Sequence, residues 1–177
     1  SLCPLPQLLP IDPYPLLTPA QQRALDKLEV LTRVAPIIAL GAEAGMGRGT
    51  ILRTFARRHG GRIITIEEIV QAVTLADPRL ADSFGSEYAE QLLAEHDLLV
   101  IENVFDLSKG NSAVRGDPNQ GIGSAMYKNL YDTIKRSGKR IVVGSGAGVT
   151  ASRGISGVDI EAFQVGDYVA IARNLLG

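Results

Sequence analysis

The chain has 177 residues, 45% of them hydrophobic, and 18 basic against 19 acidic side chains leave a formal charge of -1. That is enough apolar material for one domain with a buried core, and it supplies no global field that would favour nucleic acid or an anionic membrane surface. The single cysteine, Cys3, excludes an internal disulfide and a thiolate cage, and His59 and His96 are too far apart for ligand spacing, so no zinc is expected.

In chain order, residues 1–17 hold Pro4, Pro6, Pro10, Pro13 and Pro15 and read as a Pro-rich arm or linker. Thr18, Pro19 and Gln21 spell a helix start: a hydroxyl cap, a proline at the first helical position and an amide able to reach back. Ala24, Leu25, Leu28 and Leu31 then form one apolar stripe. The run "APIIALG" is short, apolar and closed by glycine, as a strand buried on both faces would be. Residues 50–59 predict a helix with Ile51, Leu52 and Phe55 inward, stopped by Gly60 and Gly61. "RIITI" is a second strand, followed by helical patterns over 67–73 and 79–95, and "DLLVIEN" is a third strand. Residues 106–123 are polar and Gly-rich and are expected to form a long loop. A helix over 124–136, a fourth strand "KRIVVGSG", a fifth strand "IEAFQV" and a final helix "GDYVAIARNLL" complete the pattern.

Strands alternating with helices predict an α/β fold, a parallel sheet of about five strands covered on both faces to give three layers. Ligands on such sheets bind beyond the carboxyl ends of the strands, which selects "GAEAGMGRGT", "ENVF" and "GSGAG". No apolar run approaches the roughly 20 residues that span a bilayer and no leader pattern opens the chain, so a cytoplasmic location without membrane contact is expected.

A phosphate loop needs small residues that aim backbone N–H groups at an anion, a lysine for the terminal phosphates and a hydroxyl for magnesium. Allowing one extra loop residue, "GRGTILR" at 47–53 lies over "GKTTLLR", with Arg48 at the lysine and Gly49 at the hydroxyl position. Here the sequence resembles the AAA+ ATPases of the P-loop NTPase class. The resemblance extends to "LLVIEN", where Glu102 and Asn103 take the Walker B Asp-Glu positions. It covers residues 18–177 by order of elements, and the family's helical lid would lie beyond residue 177.

The resemblance implies a nucleotide site for ATP or ADP, with magnesium, built from Gly41, Ala44, Gly45, Met46, Gly47, Arg48, Gly49 and Thr50. Glu102 would reach a magnesium water shell, Ser145 would be the polar sensor, and Arg153 would be an arginine finger. An amide at Asn103 cannot accept a proton from attacking water, so weak or absent hydrolysis is expected. The implied role is structural or regulatory within a larger ATPase assembly, through self-association or an adjacent AAA+ domain, with the loop 106–123 as a protein contact.

Two other readings use the same residues. Gly41, Gly45 and Gly47 also fit the G-x-x-x-G-x-G of short-chain dehydrogenases, with Glu67 as a ribose partner for NAD(P) and Tyr131 and Lys135 at Y-x-x-x-K spacing. The order of elements opposes this, because the Tyr-Lys pair precedes "RIVVGS" instead of following it. At helical spacing Tyr127, Leu130, Tyr131 and Ile134 read more simply as a core-facing stripe. The third reading is a nucleotide-free scaffold, in which the glycines only allow tight strand-to-helix packing.

Overall fold

A computed structural model describes residues 16–65, 68, 71, 90–102, 132–148 and 156–176. Helix α1 (Pro19–Leu31) starts as the sequence predicts. The Gln21 N–H donates to Thr18 Oγ1 at 3.3 Å, and the Thr18 N–H donates to Gln21 Oε1 at 3.0 Å. Its buried stripe is Ala20, Gln21, Ala24, Leu25 and Leu28.

The next four elements are strand β1 (Ile37–Gly41), helix α2 (Arg48–His59), strand β2 (Arg62–Ile64) and strand β3 (Leu98–Ile101). They are followed by β4 (Arg140–Ser145), β5 (Ser156–Asp159) and helix α3 (Val165–Leu176). Helix α2 begins two residues before the predicted start. It ends at Gly60, whose φ of 67° is the left-handed conformation that glycine adopts without a Cβ penalty. Residues 90–95 are helical inside the predicted helix 79–95, and the helical residues 132–137 run one residue past the predicted helix 124–136. Residues 1–15 of the arm 1–17, the loop 106–123 and most of the 67–73 segment lie outside the described residues.

The five strands form one wholly parallel sheet in the order β2-β3-β4-β1-β5. β1 is central and buried at every position, since it pairs with β4 on one side and β5 on the other. Alternation along the strands divides the core in two. Ile38, Leu40, Leu98, Val100, Val142 and Val158 face α1 and α2, meeting Leu25, Leu28, Leu52 and Phe55. Ile37, Ala39, Leu99, Ile101, Ile141 and Val143 face the other way, onto Leu93 and Ile134 of the helical segments. Each large side chain so buried contributes about 1.5–3 kcal/mol relative to exposure.

The fifth strand departs from the sequence reading. It occupies Ser156–Asp159, whereas "IEAFQV" at 160–165 is irregular up to the start of α3. The open edge of β1 recruits the backbone of "SGVD" through the register Ile38↔Ser156 to Gly41↔Asp159. The Ile160 N–H adds one last bond to the Gly41 carbonyl at 2.9 Å, and Asp167 then draws the chain into α3. Among the described residues no helix is long and apolar enough to cross a membrane.

Candidate functional site

The carboxyl ends of β1, β4 and β5 are level, with Gly41 opposite both Ser145 and Asp159. From this edge the chain leaves β1 through residues 42–47 and enters α2. The Ala42 N–H still pairs with the Ser145 carbonyl at 3.3 Å, and the Met46 N–H closes a turn on the Glu43 carbonyl at 3.3 Å. Gly45 and Gly47 then take φ values of 85° and 76°, a region that side chains disfavour. Gly47 is the residue before α2 and provides no side-chain cap, and no acidic residue lies in the first turn. The helix's own ladder begins only with the Ile51 N–H on the Gly47 carbonyl at 3.2 Å. The N-terminal partial positive charge of α2 therefore faces the end of the sheet.

The loop is held from behind by α1. Gln21, only 8% exposed, donates from Nε2 to the Met46 carbonyl at 2.9 Å while its Oε1 serves the capping box. A Cβ added at Gly47 would lie 2.3 Å from that Nε2, so a side chain there would have to push the Gln21 amide from its place as well as adopt the disfavoured φ.

Two arginines of α2 meet the neighbouring strand ends. Arg48 donates from Nη1 to the backbone carbonyl of Ser145, the buried last residue of β4. Arg53 reaches back along the helix, and its Nη1 pairs with Glu102 Oε1 at 2.7 Å. The backward lean of helical side chains carries it over Gly49, where an added Cβ would sit 3.2 Å from Arg53 Nη2. Glu102 follows β3 and is fixed by its N–H on the Ile64 carbonyl at 3.1 Å. Gly144 permits this close packing, since a Cβ there would be 2.2 Å from the Glu102 carbonyl oxygen.

The structure thus brings Gly41, Ala44, Gly45, Met46, Gly47, Arg48, Gly49, Thr50, Glu102 and Ser145 to one edge. Asn103, Arg153, Glu67 and Tyr131 lie outside the described residues. Lys135 is exposed on the helical segment that precedes β4.

Three contributors escaped the sequence reading in these roles: Gln21 as the loop's anchor, Arg53 as the partner of Glu102, and Asp167. The Asp167 carboxylate is buried at 2% exposure and accepts the Gln164 N–H at 2.8 Å and the Ala20 N–H at 2.7 Å. These backbone donors, Gln164 first and Ala20 second, hold its carboxyl below the ordinary carboxylate value against the opposing effect of burial. It ties α3 to the start of α1, the turn that carries Gln21. The spacing of Gln164 and Asp167 is that of a helix start with an acidic third residue, a signal present in the sequence.

No family model and no curated protein matches this sequence. Solved structures do. Domain III of the Thermotoga maritima replication initiation protein DnaA is similar with a TM-score of 0.58 at 17% identity, over 95% of this chain and 75% of that one. A replication initiator DnaA bound to AMPPCP and single-stranded DNA gives 0.54 at 17% identity, over 89% of this chain and 49% of that one. The fold is of the AAA+ P-loop type. A DNA replication initiation factor gives 0.57 at 16% identity, over 88% and 49% of the two chains. The chain spans about half the length of the last two proteins, and at these identities the likeness concerns the fold alone.

Proposed function

We propose that this AAA+-type chain binds an adenine nucleotide on the loop Gly41 to Thr50, hydrolyses it weakly or not at all, and serves as a structural or regulatory part of a larger ATPase assembly. The observation that carries the reading is the pair of left-handed glycines, Gly45 and Gly47, delivering an uncapped helix start to the carboxyl edge of a parallel sheet. The similar DnaA bound to AMPPCP supports the same ligand class. Weak hydrolysis follows from the residue types. Asn103 cannot act as a base, a contribution typically worth roughly 10²–10⁴ in rate, and Gly49 offers no hydroxyl. Assembly contacts are assigned to the loop 106–123 and, across a subunit boundary, to Arg153.

The test is thermal unfolding with ATP, ADP and NADP. A ligand at about 100 times its dissociation constant adds roughly 2.7 kcal/mol. The expected result is a rise in Tm with ADP and ATP that Arg48→Ala abolishes, together with negligible phosphate release from ATP. A rise with NADP alone would select the reductase reading, and no rise with any of them the scaffold.

A further inference from the structure

We infer that the nucleotide in this cradle is held without a divalent cation, the guanidinium of Arg53 standing where the cation's charge would act; this rests on the nucleotide reading above. Magnesium requires near-octahedral oxygen ligands at about 2.0–2.1 Å, supplied by a hydroxyl at the start of the helix and a carboxylate at the strand end. Here the hydroxyl position is glycine, the nearest hydroxyl is on Thr50 one residue later, its Oγ1 3.9 Å from where a Cβ on Gly47 would be, and the carboxylate is already paired. Position 49 is glycine, and the space above it is covered by Arg53 Nη2, 3.2 Å from where a Cβ would be.

The carboxylate at the end of β3 is engaged as well. Glu102 Oε1 accepts from Arg53 Nη1 at 2.7 Å, a charge-assisted bond at the short end of the normal range. A divalent ion approaching Glu102 would meet the guanidinium already paired with it, so the residues as they are arranged do not fit magnesium. They fit an anion. Arg53 lies over the first turn of α2, and its planar fork carries five donors suited to phosphate oxygens. The side chain is 48% exposed, so it is open to a ligand while Glu102, 23% exposed, fixes its orientation. Arg53 is a binding residue in this account, and Glu102 positions it.

Calorimetric titration of the whole chain with ADP, in EDTA and again in excess magnesium, decides the matter. The expected dissociation constants agree within about twofold in the two buffers, Arg53→Ala weakens binding about tenfold or more in EDTA, and Arg53→Lys, which keeps the charge but loses the planar fork, falls between the two. The double variant Gly49→Thr with Arg53→Ala, which supplies the hydroxyl and frees Glu102, is expected to bind about tenfold tighter with magnesium than without. Tenfold tighter binding of ADP by the unmodified chain in magnesium would overturn the inference and leave the nucleotide reading standing. Unchanged affinity of Arg53→Ala in EDTA would remove Arg53 from the site. Absence of ADP binding in both buffers would instead overturn the nucleotide reading, and this inference with it. Circular dichroism melts of each variant separate loss of binding from loss of fold.

Discussion

The N-termini of α1 and α2 are opposites in how their unpaired N–H groups are treated. At α1, Thr18 Oγ1 takes the Gln21 N–H, Gln21 Oε1 takes the Thr18 N–H, Pro19 removes one donor, and the Asp167 carboxylate takes the Ala20 N–H. At α2, Gly47 contributes no side chain, the first turn has no acid, and the loop before it is bent by two left-handed glycines. One helix start is filled from within the chain, including by a buried anion. The other has the same helix-end electrostatics with no side-chain cap and no acid in its first turn. The two are joined through one amide, Gln21, whose oxygen completes the first arrangement and whose nitrogen supports the second.

The largest effect is expected where the open end is closed. Gly47→Ala places a Cβ 2.3 Å from Gln21 Nε2 and forces a non-glycine residue to a φ of 76°. Left-handed strain and the displaced amide together cost about 2–3 kcal/mol in urea unfolding. The ADP-dependent rise in Tm should vanish with it. A variant that keeps both full stability and the ligand shift would mean the loop has other conformations open to it, and the contrast between the two ends would lose its basis.

The filled end is tested next by Asp167→Asn, which removes the charge from a carboxylate that accepts two backbone N–H groups, at an expected cost of about 1–3 kcal/mol near neutral pH. The pH dependence has a definite sign. Because the folded-state pKa lies below the ordinary value of 3.8, the charge contributes fully above that value and its contribution is lost as pH falls through the lowered folded value. The difference in stability between the original and Asp167→Asn chains should therefore be flat from about pH 5 to 8 and shrink only on further acidification, toward and below the ordinary carboxylate range. A difference independent of pH down to the acid limb would show that the carboxylate acts only by shape.

How much of this contrast was legible in the sequence depends on the range of the interaction. The capping box of Thr18 and Gln21 is local and was readable, as were β1, β3 and β4, whose apolar runs are buried on both faces. The glycine loop was readable because its geometry is set by residues in a row. β5 was not, since Ser156 and Gly157 have no strand propensity and pair only because the edge of β1 is there to receive them. Asp167 meets Ala20 across 147 residues, and Arg53 meets Glu102 across 49. Charge and spacing along the chain say nothing about which cation folds onto which carboxylate. Hence the glycine loop was visible, while the pairing of Arg53 with Glu102 became so only with the strands in register.

The smallest expected effect is the one that separates coupling from coincidence. Gln21→Leu keeps the volume of a residue that is 8% exposed but removes both its hydrogen bonds. Loss of the capping-box half and of the bond to the Met46 carbonyl should cost about 1 kcal/mol, since the Met46 backbone lies in a half-exposed loop where water can replace the donor. If the closed end of α1 supports the open end of α2, ADP affinity should fall about threefold to tenfold as well, because residues 45–47 lose the contact that fixes their path. Thr18→Ala provides the comparison: it weakens the same helix start, and with it the Thr18 contact to Asp167, without touching Met46, so it should cost at least as much and leave ADP affinity unchanged. Equal affinities in the two variants would leave α1 as packing alone; unequal ones identify Gln21 as the link through which the capped start of α1 holds the uncapped start of α2 in shape.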